Sequence, residues 1–400
     1  MMIAAKDPAS WGVSPSPQTG IEVEPSLHSH ATHLLMSRLL DEPAGLVSES
    51  PVVGLSPTPT PTSSAPQPAM RLRPFQRIGE YRLIARLGRG AQGEVWKAVR
   101  GAGRHRVVAL KILNPGLSIH HRRLAQFRRE AERGARLVGP SLLQVVDAGE
   151  ADGFFFMAMP FIEAVTLHDV IRERRIRRQG DPVEPLHPIV DLDDARYYVE
   201  AARTIARSSR ALDRIHVHRI VHRDVKPANI LLERRSPFGV FLCDLGLGRD
   251  LDQATREQMR DGAGTPMYMA PERLRKDPAD EILSDVYSMG ATLFEALTLG
   301  RQFEPIRDVP LPALAPMLAK ASPRTPRAVD PNLPACFEPV ILRAVAPEPQ
   351  DRYQSAGALA DALDNAAAEA HRRLNTGVNC HRPRHLDPRR RSADVRAEMR

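Results

Sequence analysis

The 400 residues exceed one average domain, and a hydrophobic share of 42% supplies either one large core or two lobes. Three scattered cysteines, Cys243, Cys336 and Cys380, exclude a disulfide framework and fit a reducing cytoplasm; the start, Met1 to Ser10, lacks a charged-then-apolar signal, and the longest apolar run, Phe154 to Ile162, falls far short of the roughly 20 residues that span a bilayer. The formal charge of +8 concentrates in residues 371–400, where nine arginines face only Asp387, Asp394 and Glu398, so the rest is close to neutral and nucleic acid is not expected as the main partner.

Residues 1–75 carry 12 of the 36 prolines and two aromatics, Trp11 and Phe75, too little apolar surface to offset the entropy of ordering. This arm is expected to be disordered, with an extended linker at Leu55 to Ala69 and at most a short helix at His33 to Leu40. Gly88, Gly90 and Gly93 then form Gly-x-Gly-x-x-Gly, a spacing that dinucleotide folds share. A dinucleotide loop opens a helix and meets an acidic residue about 20 positions on. Here Glu94 to Val99 and Val107 to Leu113 read instead as two strands joined by a turn at Gly101 to Arg106, and the residue 18 positions after Gly93 is Lys111. That pattern suits backbone amides covering a triphosphate while Lys111 grips its oxygens.

From Ile119 to Leu137, Leu124, Phe127, Ala131 and Ala135 recur at helical spacing and predict a helix ending near Gly139-Pro140. A lysine lying flat against phosphates needs a carboxylate to orient it. Glu130 on this helix is the expected partner, with Glu132 as the alternative. A second helix, Arg196 to His216, runs into the short β-like pair Ile220-Val221 and then His-Arg-Asp-Val-Lys-Pro-Ala-Asn at 222–229. In this one loop Asp224 can take a hydroxyl proton, Asn229 can hold a metal ion and Lys226 can neutralise a transferring phosphoryl oxygen. Ile230 to Leu232 and Phe238 to Cys243 read as two strands of a hairpin that presents Asp244-Leu245-Gly246, and an Asp so placed is a plausible Mg²⁺ ligand. Cys243 itself is expected to be a small buried hydrophobe.

In order, the glycine loop, Lys111, Glu130, the His222 loop, Asp244-Leu245-Gly246 and Ala270-Pro271-Glu272 resemble the eukaryotic-like Ser/Thr protein kinase family, in its compact bacterial form, over roughly residues 79–366. The resemblance implies an α+β, two-lobed protein kinase fold. A small β-rich N-lobe with one key helix would cover 76–161 and a larger, mostly α-helical C-lobe 162–370, flanked by the arm 1–75 and a basic, disordered tail 371–400. It also implies transfer of the γ-phosphate of ATP to Ser/Thr hydroxyls of protein substrates, autophosphorylation included, with Mg²⁺ or Mn²⁺ as the metal.

By position, the resemblance makes Asp224 the catalytic base, Asn229 and Asp244 the metal ligands, Lys226 a γ-phosphate contact and Thr265 a hydrogen-bond partner of Asp224 and Lys226. The nucleotide site would comprise Leu87, Gly88, Arg89, Gly90, Ala91, Gln92, Gly93, Glu94, Val95, Ala109, Lys111, Met159 and Leu231, with Phe161, Ile162 and Glu163 in the hinge. Asp285 would brace the catalytic loop from a buried helix, and Arg352 would pair with Glu272. In this family the arginine before the base, here Arg223, ties activity to a negative charge on the activation segment. That charge would come from phosphorylated Thr255, the sole hydroxyl side chain between Gly246 and Gly264, or permanently from Asp261.

Four stretches depart from the family pattern: Leu245 replaces a Phe, Pro160 replaces a hinge Glu, Arg172 to Asp191 reads as a basic insertion between two helices, and the proline-rich Arg301 to Pro334 predicts short or absent docking helices. Two competing readings are a nucleotide-binding pseudokinase scaffold and a small-molecule kinase. Pseudokinases commonly lose the lysine, the base or the metal Asp, all present here, and small-molecule kinases generally lack a peptide segment bounded by Ala-Pro-Glu.

Overall fold

The computed structural model describes residues 72–375 except 91–92, 102–105, 114–120, 183, 236, 245–248, 251–264 and 304–310. The predicted short helix at 33–40, the linker at 55–69 and Cys380 lie outside the described residues, as do Ala91, Gln92, Leu245, Gly246, Thr255 and Asp261.

Residues 77–160 supply an antiparallel six-stranded sheet. Its strands are β1 (Arg77–Ile78), β2 (Tyr81–Gly90), β3 (Gly93–Arg100), β4 (Arg106–Leu113), β5 (Asp147–Ala151) and β6 (Phe154–Pro160), in the order β1-β2-β3-β4-β6-β5. One face packs Leu83, Trp96, Leu110, Ile112 and Phe156 into a core. On the other, helix α1 (His121–Arg136) lays Phe127 and Ala131 against Leu113, Val145 and Met157. Because Leu110 and Ile112 point into the first core, the pleat turns Lys111 to the opposite face, opposite Val95 and Met157 in the ladder.

The larger, mostly helical part follows: β7 (Ala164–Thr166), α2 (Leu167–Arg178), α3 (Asp194–Val217), β8 (Ile220–Val221), β9 (Ile230–Glu233), β10 (Val240–Leu242), β11 (Arg249–Asp250), α4 (Pro271–Arg275), α5 (Glu281–Thr298), α6 (Leu311–Leu318), α7 (Pro326–Val329), α8 (Glu338–Ala344) and α9 (Ala356–Asn375). Side-chain caps open three of these helices, from Thr166 on α2, Asp193 on α3 and Asp280 on α5. Helices α3, α5 and α9 share one large apolar core, which supports two small antiparallel sheets, β10-β9-β7 and β11-β8.

The basic insertion predicted from Arg172 is corrected: Arg172 to Arg178 are the second half of α2. Its arginines fold back onto carboxylates of the same lobe, Arg174 on Asp194 at 2.6 Å, Arg175 on Glu295 at 2.6 Å and Arg178 on Asp330 at 2.8 Å. Two short helices, α6 and α7, occupy part of the proline-rich stretch.

Among the described residues, two backbone links join the parts. The chain passes between them at 161–163, and Leu142, which follows α1, forms an isolated parallel bridge with Leu242 of β10, with Leu242 N donating to Ser141 O at 2.9 Å. Among the described residues no helix is long and apolar enough to cross a membrane.

Candidate active site

On α1 the buried stripe is Phe127, Glu130, Ala131 and Gly134, so one carboxylate sits inside the core-facing row. Gly134 lets that row approach closely, since a Cβ there would lie 2.4 Å from Val145 Cγ2. Glu130 Oε1 thereby accepts from Lys111 Nζ at 2.6 Å, with both side chains only 7% exposed. Glu132, the alternative, is exposed. Asp244 Oδ1 approaches the same ammonium to 3.5 Å. Burial works against the lysine's charge, but Glu130 and Asp244 more than offset it and hold the Lys111 pKa above its ordinary value, so the ammonium persists.

His222 and Arg223 are fixed by α5. Asp285, fully buried, accepts from the backbone N–H of His222 and of Arg223, each at 2.7 Å, and lies 3.0 Å from His216 Nε2 of α3. Burial alone would raise the Asp285 carboxyl, yet these partners hold it below the ordinary aspartate value. Above this support Asp224 Oδ1 accepts from Thr265 Oγ1 at 2.8 Å and from Thr265 N at 3.1 Å. Its Oδ2 accepts from Asn229 Nδ2 at 3.3 Å and lies 3.1 Å from Lys226 Nζ, which donates to Thr265 Oγ1 at 2.9 Å.

Asn229 and Asp244 are the residues here whose chemistry suits a cation. Asn229 Nδ2 is committed to Asp224 O at 2.8 Å, which turns Oδ1 away, and that buried Oδ1 has no hydrogen-bond partner among the described residues. Asp244 follows β10 with a left-handed φ of 65°, its side chain 28% exposed, and Cys243 N donates to Asn229 O at 3.0 Å to hold the two segments together. A neutral oxygen and one carboxylate fit Mg²⁺, which takes few protein carboxylates and completes its shell from phosphate and water.

The residues expected to line a nucleotide are mostly buried. Leu87, Val95 and Ala109 form a small buried cluster with Phe161 packed on it, Met159 pairs with Ala109, and Leu231 is buried on β9. Gly88 pairs with Val95 and Gly90 with Gly93 across the glycine loop. At its rim Glu94 Oε1 meets Arg86 and Arg89, each at 3.7 Å. Ile162 is half-buried and Glu163 exposed in the hinge, where Glu163 O accepts from Arg234 N at 2.9 Å.

The family model described as the protein kinase domain matches residues 81–326. The chain belongs to the protein kinase family, in its bacterial Ser/Thr form. The Ser/Thr-protein kinase PknD of Mycobacterium tuberculosis (strain CDC 1551 / Oshkosh) is 31% identical over 302 residues, 76% of this chain and 42% of that protein. PknE of Mycobacterium bovis is 33% identical over 294 residues, 74% of this chain and 47% of that protein. The chain thus spans less than half the length of these curated relatives. The crystal structure of the Mycobacterium tuberculosis PknI kinase domain superposes with a TM-score of 0.53 at 25% identity, covering 74% of this chain and all of that one.

Within this kinase domain Arg352 and Glu272 form a two-pronged buried pair. Arg352 Nη1 and Nη2 donate to Glu272 Oε1 and Oε2, each at 2.8 Å, and the arginine is fully buried. Three participants were not foreseen from the sequence: His216, Arg273 and Glu281. His216 could have been noticed as a polar residue in the buried row Leu212, Ile215, His216 of α3. Arg273 and Glu281 carry no local signal, since each resembles an ordinary charged residue near a helix end.

Proposed function

We propose that this kinase transfers the γ-phosphate of ATP to Ser and Thr hydroxyls of proteins, itself included, by in-line displacement. The observation that supports it best is the pair of polar clusters Lys111–Glu130–Asp244 and Asp224–Asn229–Lys226–Thr265, joined where Cys243 N donates to Asn229 O. Lys111, held by Glu130, grips oxygens of the bound triphosphate. Asn229 Oδ1 and Asp244 would hold Mg²⁺, or Mn²⁺ in its place, which neutralises phosphate charge when bound. Asp224, oriented by Thr265 and Asn229, takes the proton of the incoming hydroxyl, and Lys226 balances charge on the transferring group. Leu87, Val95, Ala109, Met159 and Leu231 with the hinge Phe161 to Glu163 enclose the adenine, and residues 88–94 cover the phosphates.

The reading divides the chain into lobes at 76–161 and 162–370, and its protein substrates and reducing cytoplasm follow from the family and the three scattered cysteines. Incubation with labelled ATP, Mg²⁺ and a basic acceptor protein should yield phosphoserine and phosphothreonine but no phosphotyrosine. Asp224→Asn should lower transfer by about 10²-fold or more. A chain that binds ATP yet transfers nothing would be a scaffold and would end the proposal.

A further inference from the structure

The residue before the proposed base is held in an unusual way. Arg223 adopts a left-handed φ of 68°, a conformation that L-residues disfavour and that surrounding contacts must impose. Its side chain is fully buried, and its carbonyl accepts from Arg273 Nη1 of α4 at 3.0 Å. Both guanidiniums are buried away from bulk water. Glu281, the first residue of α5, lies between them: its Oε2 is 3.2 Å from Arg223 Nε and 3.8 Å from Arg273 Nε. The side chains of Arg223, Arg273 and Glu281 are 0%, 3% and 0% exposed. Burial draws both guanidiniums toward lower pKa, for Arg273 reinforced by Arg223, and Glu281 opposes that for each.

We infer that Glu281 is a built-in counter-charge that keeps the catalytic-loop arginine in position without a phosphate on segment 245–264. The inference rests on the kinase reading and names how that site is regulated. Glu281 and Asp285 lie one turn apart on α5, so a single helix edge presents one carboxylate to the loop backbone and the other to the loop side chain. The N-terminal position on α5 favours a carboxylate as well. Arg223 adjoins Asp224, so loosening the arginine displaces the base, and a shift of about 1 Å in such a group costs on the order of 10²-fold in rate. Glu281 is a positioning residue in this account. It touches neither nucleotide nor acceptor.

The test uses the full chain in four forms: wild type before and after phosphatase treatment, Thr255→Ala, Glu281→Gln and Glu281→Asp. Rates are expressed per site that binds a fluorescent ATP analogue, so a loss of folded protein does not enter. Phosphatase-treated wild type and Thr255→Ala should keep kcat within about twofold, while Glu281→Gln should lose about tenfold or more in kcat with little change in the KM for ATP. Glu281→Asp should recover part of that loss. The inference is overturned if phosphatase treatment or Thr255→Ala costs about tenfold, or if Glu281→Gln turns over normally per competent site. Should Glu281→Gln not fold, the phosphatase and Thr255→Ala arms still decide. An inactive wild type overturns the proposed function and this inference together; an active wild type that needs its phosphate overturns this inference alone.

Discussion

Replacing Glu130 by Gln preserves the side-chain shape and removes the charge that positions Lys111. The Lys111 ammonium lies 2.6 Å from Glu130 and 3.5 Å from Asp244. At an effective dielectric of about 20, these separations correspond to about 6 and about 5 kcal/mol of Coulomb attraction before desolvation. The difference, between about 1 and 2 kcal/mol, favours the ammonium on the helix side and, on the proposed reading, would let the Asp244 carboxylate serve a metal ion. In Glu130→Gln the preference reverses and Lys111 turns to Asp244, where it competes with Mg²⁺. The expected result is a kcat lower by about 10- to 100-fold and a higher Mg²⁺ concentration at half-maximal rate. Initial rates on a basic acceptor protein, measured across a Mg²⁺ titration at saturating ATP, read both quantities, with the thermal midpoint as a folding control. A kcat within about twofold of wild type and an unchanged Mg²⁺ profile would refute the reasoning.

Three further outcomes follow from the geometry. Glu272→Gln leaves the fully buried Arg352 without its anion and should destabilise the domain by about 3–5 kcal/mol, read as a lower denaturant midpoint at constant m; a cost under about 1 kcal/mol would contradict the buried pair. Burial works against ionised Glu272 and Asp285, yet Arg352 and His216 hold both below their ordinary pKa values, so their stabilisation is complete above those values and lost as pH falls through the folded ones. The thermal midpoint should therefore drop on the acid side of about pH 4, more steeply in wild type than in Glu272→Gln, and equal slopes would speak against the assignment. Gly93→Ala places a Cβ 2.0 Å from Ile112 O and must part β3 from β4 beside the glycine loop, raising the KM for ATP by about tenfold; an unchanged KM would show that the loop tolerates the separation.

The architecture was legible where a residue's role depends on its near neighbours in sequence. Strand alternation sets the face on which Lys111 lies, and the row Phe127, Glu130, Ala131 on α1 places Glu130 rather than Glu132 toward it. Contacts that depend on distant segments were not legible. Helix α2 looked like an insertion because its second half is rich in arginine, and the carboxylates that satisfy those arginines lie 20, 120 and 152 residues away. Glu281 reads in sequence as one more acid at the start of a helix. Its meaning comes from Arg223, which reaches it only when α5 packs beneath the catalytic loop.

The bridge between Leu142 and Leu242 gives the small lobe a further fastening besides the crossover from β6 to β7 at 161–163. Lys111 and Glu130 both belong to the small lobe, whereas Asp244 belongs to the helical one. A rotation of one lobe against the other would therefore alter the 3.5 Å contact and leave the 2.6 Å contact as it is.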